Sequence, residues 1–267
     1  MARKQVVYKS SLAKLFVELT GSRNLWQVWA DAITLIAISI SNIFDHTERA
    51  KGREETYKQI IKRYSEKERQ VFVDILAKIT KSLDEDPEQD LLGKLYMELE
   101  LGNDKNGQFF TPYCLCALMA EINASSKESL EEEIQKNRYI SVNDCACGAG
   151  ATLIAFANHL KKSDINYQTS CLFVAQDIDY TTALMCYIQL SLLGCPGYVK
   201  VGNTITDPVT GNPFAIEKSD KIWLTPMMYS DVWYARRLSW LMRGLEESHV
   251  ESENMHQLPI SSPEEDK

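Results

Sequence analysis

Apolar positions near the start of the chain recur at helical spacing. Leu12, Leu15, Phe16 and Leu19 stand at i, i+3, i+4 and i+7, and Leu25 to Phe44 carries enough apolar residues to predict a buried helix. Glu48 to Arg69 is dense in both signs of charge. An apolar stripe follows at Val71, Val73, Ile75, Leu76 and Ile79. The pattern predicts a helical lobe over residues 1–105. From about Arg138 it changes to short apolar runs separated by helical segments. Four runs read as strands: Tyr139 to Asn143, Cys171 to Ala175, Tyr198 to Val201 and Lys221 to Leu224. Helices are expected over Thr152 to Leu160, Thr181 to Leu193 and Asp231 to Leu245. Strands alternating with helices of this length predict an α/β fold with a parallel sheet of about four strands over residues 106–247. Residues 248–267, rich in Pro, Ser and acidic residues, read as a disordered acidic tail.

Composition narrows the classes. The 267 residues are 45% hydrophobic and 25% charged, which fits a globular protein and excludes collagen-like, disordered and disulfide-scaffold classes. The longest apolar run, Ala32 to Ile40, is about half the ~20 residues a bilayer crossing requires, so no membrane span is expected. No secretory signal is read at the amino terminus, and a cytoplasmic location is expected. Seven cysteines, an odd number, favour reduced thiols over bridges. The pairs Cys114/Cys116 and Cys145/Cys147 are spaced too closely for usual zinc ligation, and His46, His159, His249 and His256 are isolated, so no metal is expected. With 37 Asp and Glu against 29 Lys and Arg the net charge is −8. Acidic residues interleave the charged helix, which favours a solvated face over a nucleic-acid patch.

The sharpest local signal is Val142-Asn-Asp-Cys-Ala-Cys-Gly-Ala-Gly-Ala-Thr-Leu153. A strand ends at Asp144, Gly148 and Gly150 permit a tight turn against a ligand, and a helix begins whose exposed N–H groups favour a polar or anionic group. Alone, such a turn also serves close helix–strand packing. The next strand ends in Asp177-Ile-Asp179, about thirty residues on, where a carboxylate can accept ribose hydroxyls and Ile178 can face an adenine ring. The third run ends in Gly202-Asn203-Thr204, placing an amide within reach of the same ring. Three strand ends in order describe a nucleoside pocket.

The motifs Gly-Gln-Phe-Phe-Thr-Pro (107–112), Asp-Cys-Ala-Cys-Gly-Ala-Gly (144–150), Ala-Gln-Asp-Ile-Asp (175–179) and Gly-Asn-Thr (202–204) resemble, in order and spacing, the adenine-N6 DNA methyltransferases. The resemblance is strongest to the modification subunit of type I restriction-modification systems. It implies a Rossmann-like S-adenosylmethionine-dependent methyltransferase fold behind the helical lobe. It further implies that Phe110, Thr111 and Pro112 close over the methionine end of the cofactor, and that Asp144, Gly148 and Gly150 hold its backbone side. Asp177 would take the ribose, Ile178 the adenine face and Asn203 the adenine edge. Family members usually carry Glu where Asp177 stands and Asp where Asn203 stands.

The family's catalytic Asn or Asp, Pro, Pro and aromatic corresponds here to Thr225-Pro226-Met227-Met228-Tyr229. Thr225 and the Pro226 carbonyl would orient the amino group of a flipped adenine, and Tyr229 would support its ring. A hydroxyl in place of the amide, and Met228 in the aromatic slot, imply weak activity or none. Complete enzymes of the family continue the sheet further and use a DNA-recognition element. The acidic charge therefore implies that DNA is reached through a partner, such as a specificity or methyltransferase subunit. Two functions follow. One is methyl transfer to adenine N6 in DNA. The other is an inactive methyltransferase-fold module that binds cofactor or a restriction-modification partner and regulates or docks. The cluster Trp233, Tyr234, Trp240, Leu241 and Met242 beside Arg236, Arg237 and Arg243 reads either as a docking helix or, preferentially, as a helix packed back on the sheet.

Overall fold

A computed structural model describes residues 10–102, 110–209, 214, 219–240 and 242. Five helices lead the chain: α1 (Ser11–Glu18), α2 (Leu25–Phe44), α3 (Glu48–Ile61), α4 (Glu66–Glu85) and α5 (Leu91–Glu98). Their starts are set by side-chain caps. Ser10 accepts from the Ala13 N–H at 3.0 Å, Asn24 from Gln27 at 2.7 Å, and Ser65 with Glu68 forms a capping box. By length and composition α2 could cross a membrane, yet most of it is buried inside this fold. Its Asp31 accepts from the Tyr64 hydroxyl at 2.7 Å, and its Ser41 accepts from Arg53 at 2.7 Å. Polar groups satisfied in this way mark a core helix, not a lipid-facing one.

Then follow α6 (Tyr113–Asn123), α7 (Lys127–Asn137), β1 (Ile140–Asp144), α8 (Ala151–Lys162), the short α9 (Tyr167–Ser170), β2 (Cys171–Asp177), α10 (Tyr180–Leu192), β3 (Gly197–Val201) and β4 (Ile222–Leu224). A 3₁₀ turn covers Pro226–Tyr229, and 231–240 is helical. The chain is thus mixed α/β, with the expected strands and helices each present within a few residues. The carboxyl-terminal part of the helix expected to reach Leu245 and the expected tail lie outside the described residues.

The sheet departs from expectation in one respect. Its order is β1-β2-β3-β4, with β1, β2 and β3 parallel but β4 antiparallel to β3, pairing Tyr198 with Leu224 and Lys200 with Ile222. The expected all-parallel sheet is corrected to three parallel strands and one antiparallel edge. The physical cause lies after β3. Buried Lys200 donates to Asp207 at 2.7 Å, Lys221 grips the other oxygen of Asp207 at 3.0 Å, and Gln176 donates to the Asp207 carbonyl at 2.8 Å. These bonds hold the connection near the end at which β3 finishes, so the chain re-enters the sheet running backwards.

Successive right-handed crossovers in one direction put α8 and α10 on the same face. There they join α2, α4 and α5 in one core running from Leu12 through Trp29 and Ile75 to Leu184 and Trp223. The lobe and the sheet therefore share a core across the expected boundary at residue 105. Arg53 of α3 extends this union. It is buried, lies 3.7 Å over the Trp223 ring and donates to the Ile222 carbonyl at 2.6 Å. The opposite face is covered by the helical stretch 231–240. Trp233, fully buried, packs with Leu172, Val174, Tyr198 and Leu224 and donates to the Gln168 carbonyl at 2.7 Å. That aromatic helix packs back on the sheet, the preferred reading of its sequence.

Candidate functional site

The carboxyl ends of β1, β2 and β3 are stitched together by their loops. Cys147 donates its N–H to the Gln176 carbonyl at 3.0 Å, and Gly148 donates to Asp177 Oδ2 at 2.9 Å. Gly202 donates to the Asp177 carbonyl at 2.8 Å, and the Thr204 hydroxyl donates to the Cys145 carbonyl. Two glycines are required at the turn. Gly148 has φ +55, and a Cβ there would stand 3.3 Å from the Phe110 ring; Gly150 has φ +96, and a Cβ there would stand 2.9 Å from Cys186 Sγ. Gly150 also begins α8 without a side-chain cap, so the helix presents its first N–H groups at the turn.

Asp144 anchors the near side of this turn. One carboxylate oxygen accepts from the Ala146 N–H at 3.1 Å and the other from the Thr152 hydroxyl. Asp177 anchors the far side, its second oxygen accepting from the Asp179 N–H at 2.9 Å. Burial pushes the Asp177 carboxyl above the usual carboxylate range, against the opposing pull of the Asp179 and Gly148 N–H donors. Each oxygen of Asp177 keeps a second lone pair for a hydroxyl. Ile178 is 69% exposed beside it. Asn203 folds its Oδ1 back onto the Ile205 N–H at 2.8 Å, leaving its Nδ2 as a donor with no partner among the described residues. Phe110 packs edge-on against Tyr96 at 5.3 Å and lies over Gly148, with Thr111 and Pro112 leading from it into α6. Gly107, Gln108 and Phe109 of the same motif lie outside the described residues.

Thr225, Pro226 and Tyr229 are not part of this constellation. Because β4 is antiparallel, its end meets the start of β3. Thr225 is fully buried there, its hydroxyl donating to the Cys195 carbonyl at 2.7 Å and accepting from the Gly197 N–H at 2.9 Å. Pro226 opens the 3₁₀ turn, and Tyr229 stacks on Phe44 of α2 at 5.9 Å. The length of β3 separates them from the glycine turn, roughly 15 Å at the rise of a strand. The sequence-based assignment of these three residues to one site with the cofactor residues is therefore corrected. The reason is the strand direction, which carries Thr225 to the wrong end of the sheet.

The sequence profile described as N-6 DNA Methylase matches residues 88–256, well over half of the chain. The chain belongs to the N-6 DNA methylase family. No curated protein and no solved structure matches it.

The residues present at this methylase-family turn fit S-adenosylmethionine. With glycine at positive φ at both 148 and 150, and a tight 3.3 Å approach to Phe110 at the first, backbone N–H groups could come close to the cofactor's amino-acid end, and the uncapped start of α8 would favour its carboxylate. Asp177 can accept ribose hydroxyls, Ile178 offers an apolar face, and the Asn203 amide can donate to a ring nitrogen. One positioning residue escaped the sequence reading. Gln189, fully buried in α10, donates to Asp90 Oδ1 and to the Ala149 carbonyl, both at 2.8 Å, and accepts from the Leu92 N–H at 3.1 Å. It ties α5 of the lobe to the glycine turn. A lone amide among the apolar residues of α10 was the available signal. Among the described residues no cluster of three His, Cys, Asp or Glu side chains could hold a metal.

Proposed function

We propose that this chain binds S-adenosylmethionine at the carboxyl ends of β1–β3 and acts as a cofactor-binding, non-transferring member of the N-6 DNA methylase family, working with a restriction-modification subunit. One observation carries the reading: Asp177, Ile178, Asn203 and the Gly148–Gly150 turn converge, while Thr225 is buried at the other end of the sheet with its hydroxyl engaged by Cys195 and Gly197. In this reading the turn and Phe110–Pro112 hold the amino-acid end, Asp177 the ribose, and Ile178 and Asn203 the adenine. When bound, the cofactor supplies a methyl group activated on a sulfonium. The chain's own residues orient it and exclude water around it. Thr225 and Pro226, which stand where the family's catalytic acceptors stand, are not beside them, so in this reading the partner brings DNA and, where transfer occurs, the acceptor for the adenine amino group.

A second reading, adenine-N6 transfer by this chain itself in the manner of a type I modification subunit, is favoured by the intact cofactor strand ends and the family membership. It requires Thr225-Pro226 to leave the start of β3. The experiment that separates the two is methyl transfer to adenine-containing DNA by the purified chain, alone and with candidate partner subunits, using tritiated cofactor. The proposal expects cofactor binding with no transfer by the chain alone. Transfer by the chain alone, lost on Thr225→Ala in a protein that stays folded and still binds cofactor, would establish the second reading.

A further inference from the structure

A cavity opens at the amino ends of β1 and β2, on the opposite side of the sheet's length from the glycine turn. It encloses about 650 Å³ and is lined by Lys136, Arg138, Arg236, Tyr139, Phe214 and Trp240 among others. That volume lies within the range of small-molecule sites. In a chain of net charge −8, this cavity has three cations and no acidic residue among its described lining.

Structural duties account for only part of that charge. The carbonyl end of α7 favours one cation nearby, which Lys136 in its last turn supplies. Arg138 exceeds that need. It stands at the C-cap with φ +69, a left-handed conformation that costs a non-glycine residue and that glycine or asparagine adopts more easily. Neither Lys136 nor Arg138 makes an ion pair among the described residues, and both are exposed. Arg236 is braced differently. Its guanidinium lies 4.5 Å over Trp233 and donates to the Thr169 carbonyl, and the side chain lines the cavity. Tyr139 and Trp240 add aromatic surface beside the cations.

Guanidinium forks and an ammonium match phosphate oxygens, and aromatic faces match a base. We propose that this cavity is a nucleotide-phosphate site, taking one phosphate on Arg138 and Lys136 and one base against the Tyr139–Trp240 wall. The phosphate can come from a free mononucleotide or from a nucleic-acid strand. The site is separate from the glycine turn and does not rest on the cofactor reading.

The test titrates the purified full chain by calorimetry with 2′-deoxyadenosine 5′-monophosphate, with deoxyadenosine, with inorganic phosphate and with a short oligothymidylate. The mononucleotide is expected to bind at least about tenfold more tightly than the nucleoside or phosphate alone. Lys136→Ala/Arg138→Ala should lower that affinity at least tenfold, and Trp240→Ala by about tenfold. These side chains are on the surface or at its edge, and circular dichroism verifies that the variants fold. Asp177→Ala and saturating S-adenosylmethionine should leave nucleotide binding unchanged. An oligothymidylate that binds more tightly than the mononucleotide, and weakens steeply with salt, identifies a strand; equal affinity identifies a free nucleotide. The proposal is overturned if neither binds, if the double alanine variant binds as well as the wild type, or if Asp177→Ala or S-adenosylmethionine abolishes binding.

Discussion

Replacing Thr225 by valine tests the strand direction on which the functional reading depends. Valine keeps the shape of threonine and removes only the hydroxyl. In the fold, that hydroxyl donates to the Cys195 carbonyl at 2.7 Å and accepts from the Gly197 N–H at 2.9 Å in fully buried surroundings. Each buried group left without a partner costs about 1–3 kcal/mol. The Cys195 carbonyl and the Gly197 N–H are both affected, so a loss of about 2–4 kcal/mol is expected. For a chain of this size that lowers Tm by roughly 5–15 °C. Thr225→Ser keeps the hydroxyl and should lose only about 1 kcal/mol from the missing methyl. Urea denaturation followed by tryptophan fluorescence reads both, with S-adenosylmethionine titrated into each variant at low temperature. Cofactor affinity should be unchanged, since the start of β3 is remote from the glycine turn. A Thr225→Val protein as stable as the wild type would refute the placement of β4 antiparallel on β3.

Other perturbations address the lobe, the turn and the carboxylate. Arg53→Ala removes a buried cation from the Ile222 carbonyl and from Asp45 at 3.5 Å, and should cost about 3–5 kcal/mol by chemical denaturation. Gly150→Ala forces a Cβ to 2.9 Å from Cys186 Sγ at φ +96, and should cost about 1–3 kcal/mol and weaken cofactor binding at least tenfold in calorimetry. Gln189→Leu should destabilise by about 2–4 kcal/mol and raise hydrogen exchange at both the α5 start and the glycine turn; an effect confined to α10 would count against its linking role. Because burial raises the Asp177 carboxyl above its ordinary 3.8, it takes up a proton at higher pH than an exposed aspartate. For this group the sign is the reverse of a salt-bridged aspartate. Its contribution to stability falls as pH rises from the unfolded value through the raised folded value, and cofactor affinity should fall as pH drops through that raised value. Asp177→Asn should bind weakly with a flat acid limb, which a pH series of titrations reads.

Much of the fold was legible because the chain alternates clear signals. The run from Cys171 to Ala175 is buried on both faces and reads as a central strand, and Gly148 and Gly150 do stand at positive φ where a turn needs them. The direction of β4 was not legible. Ile222–Leu224 is a three-residue strand, and an apolar run of that length carries no information on which edge it joins or which way it runs. That choice is made by Lys200, Asp207 and Lys221, charges whose convergence appears only in three dimensions. The place of Thr225 was not legible for the same reason, since the resemblance supplied the order of Thr225 and Asn203 along the chain but not their separation across the sheet. Helices α6 and α7 were also passed over. The mostly polar surface of α7, with Leu130 its one buried residue, gives no apolar stripe to read.

The central claim, a cofactor site at the ends of β1–β3 set apart from Thr225, is tested most directly by calorimetric titration of S-adenosylmethionine into the full chain and its variants. The account predicts saturable binding, one site per chain, abolished by Gly148→Asp and Asp177→Ala and retained by Thr225→Val. Absence of binding to the folded wild-type chain, or its loss on Thr225→Val, would contradict it.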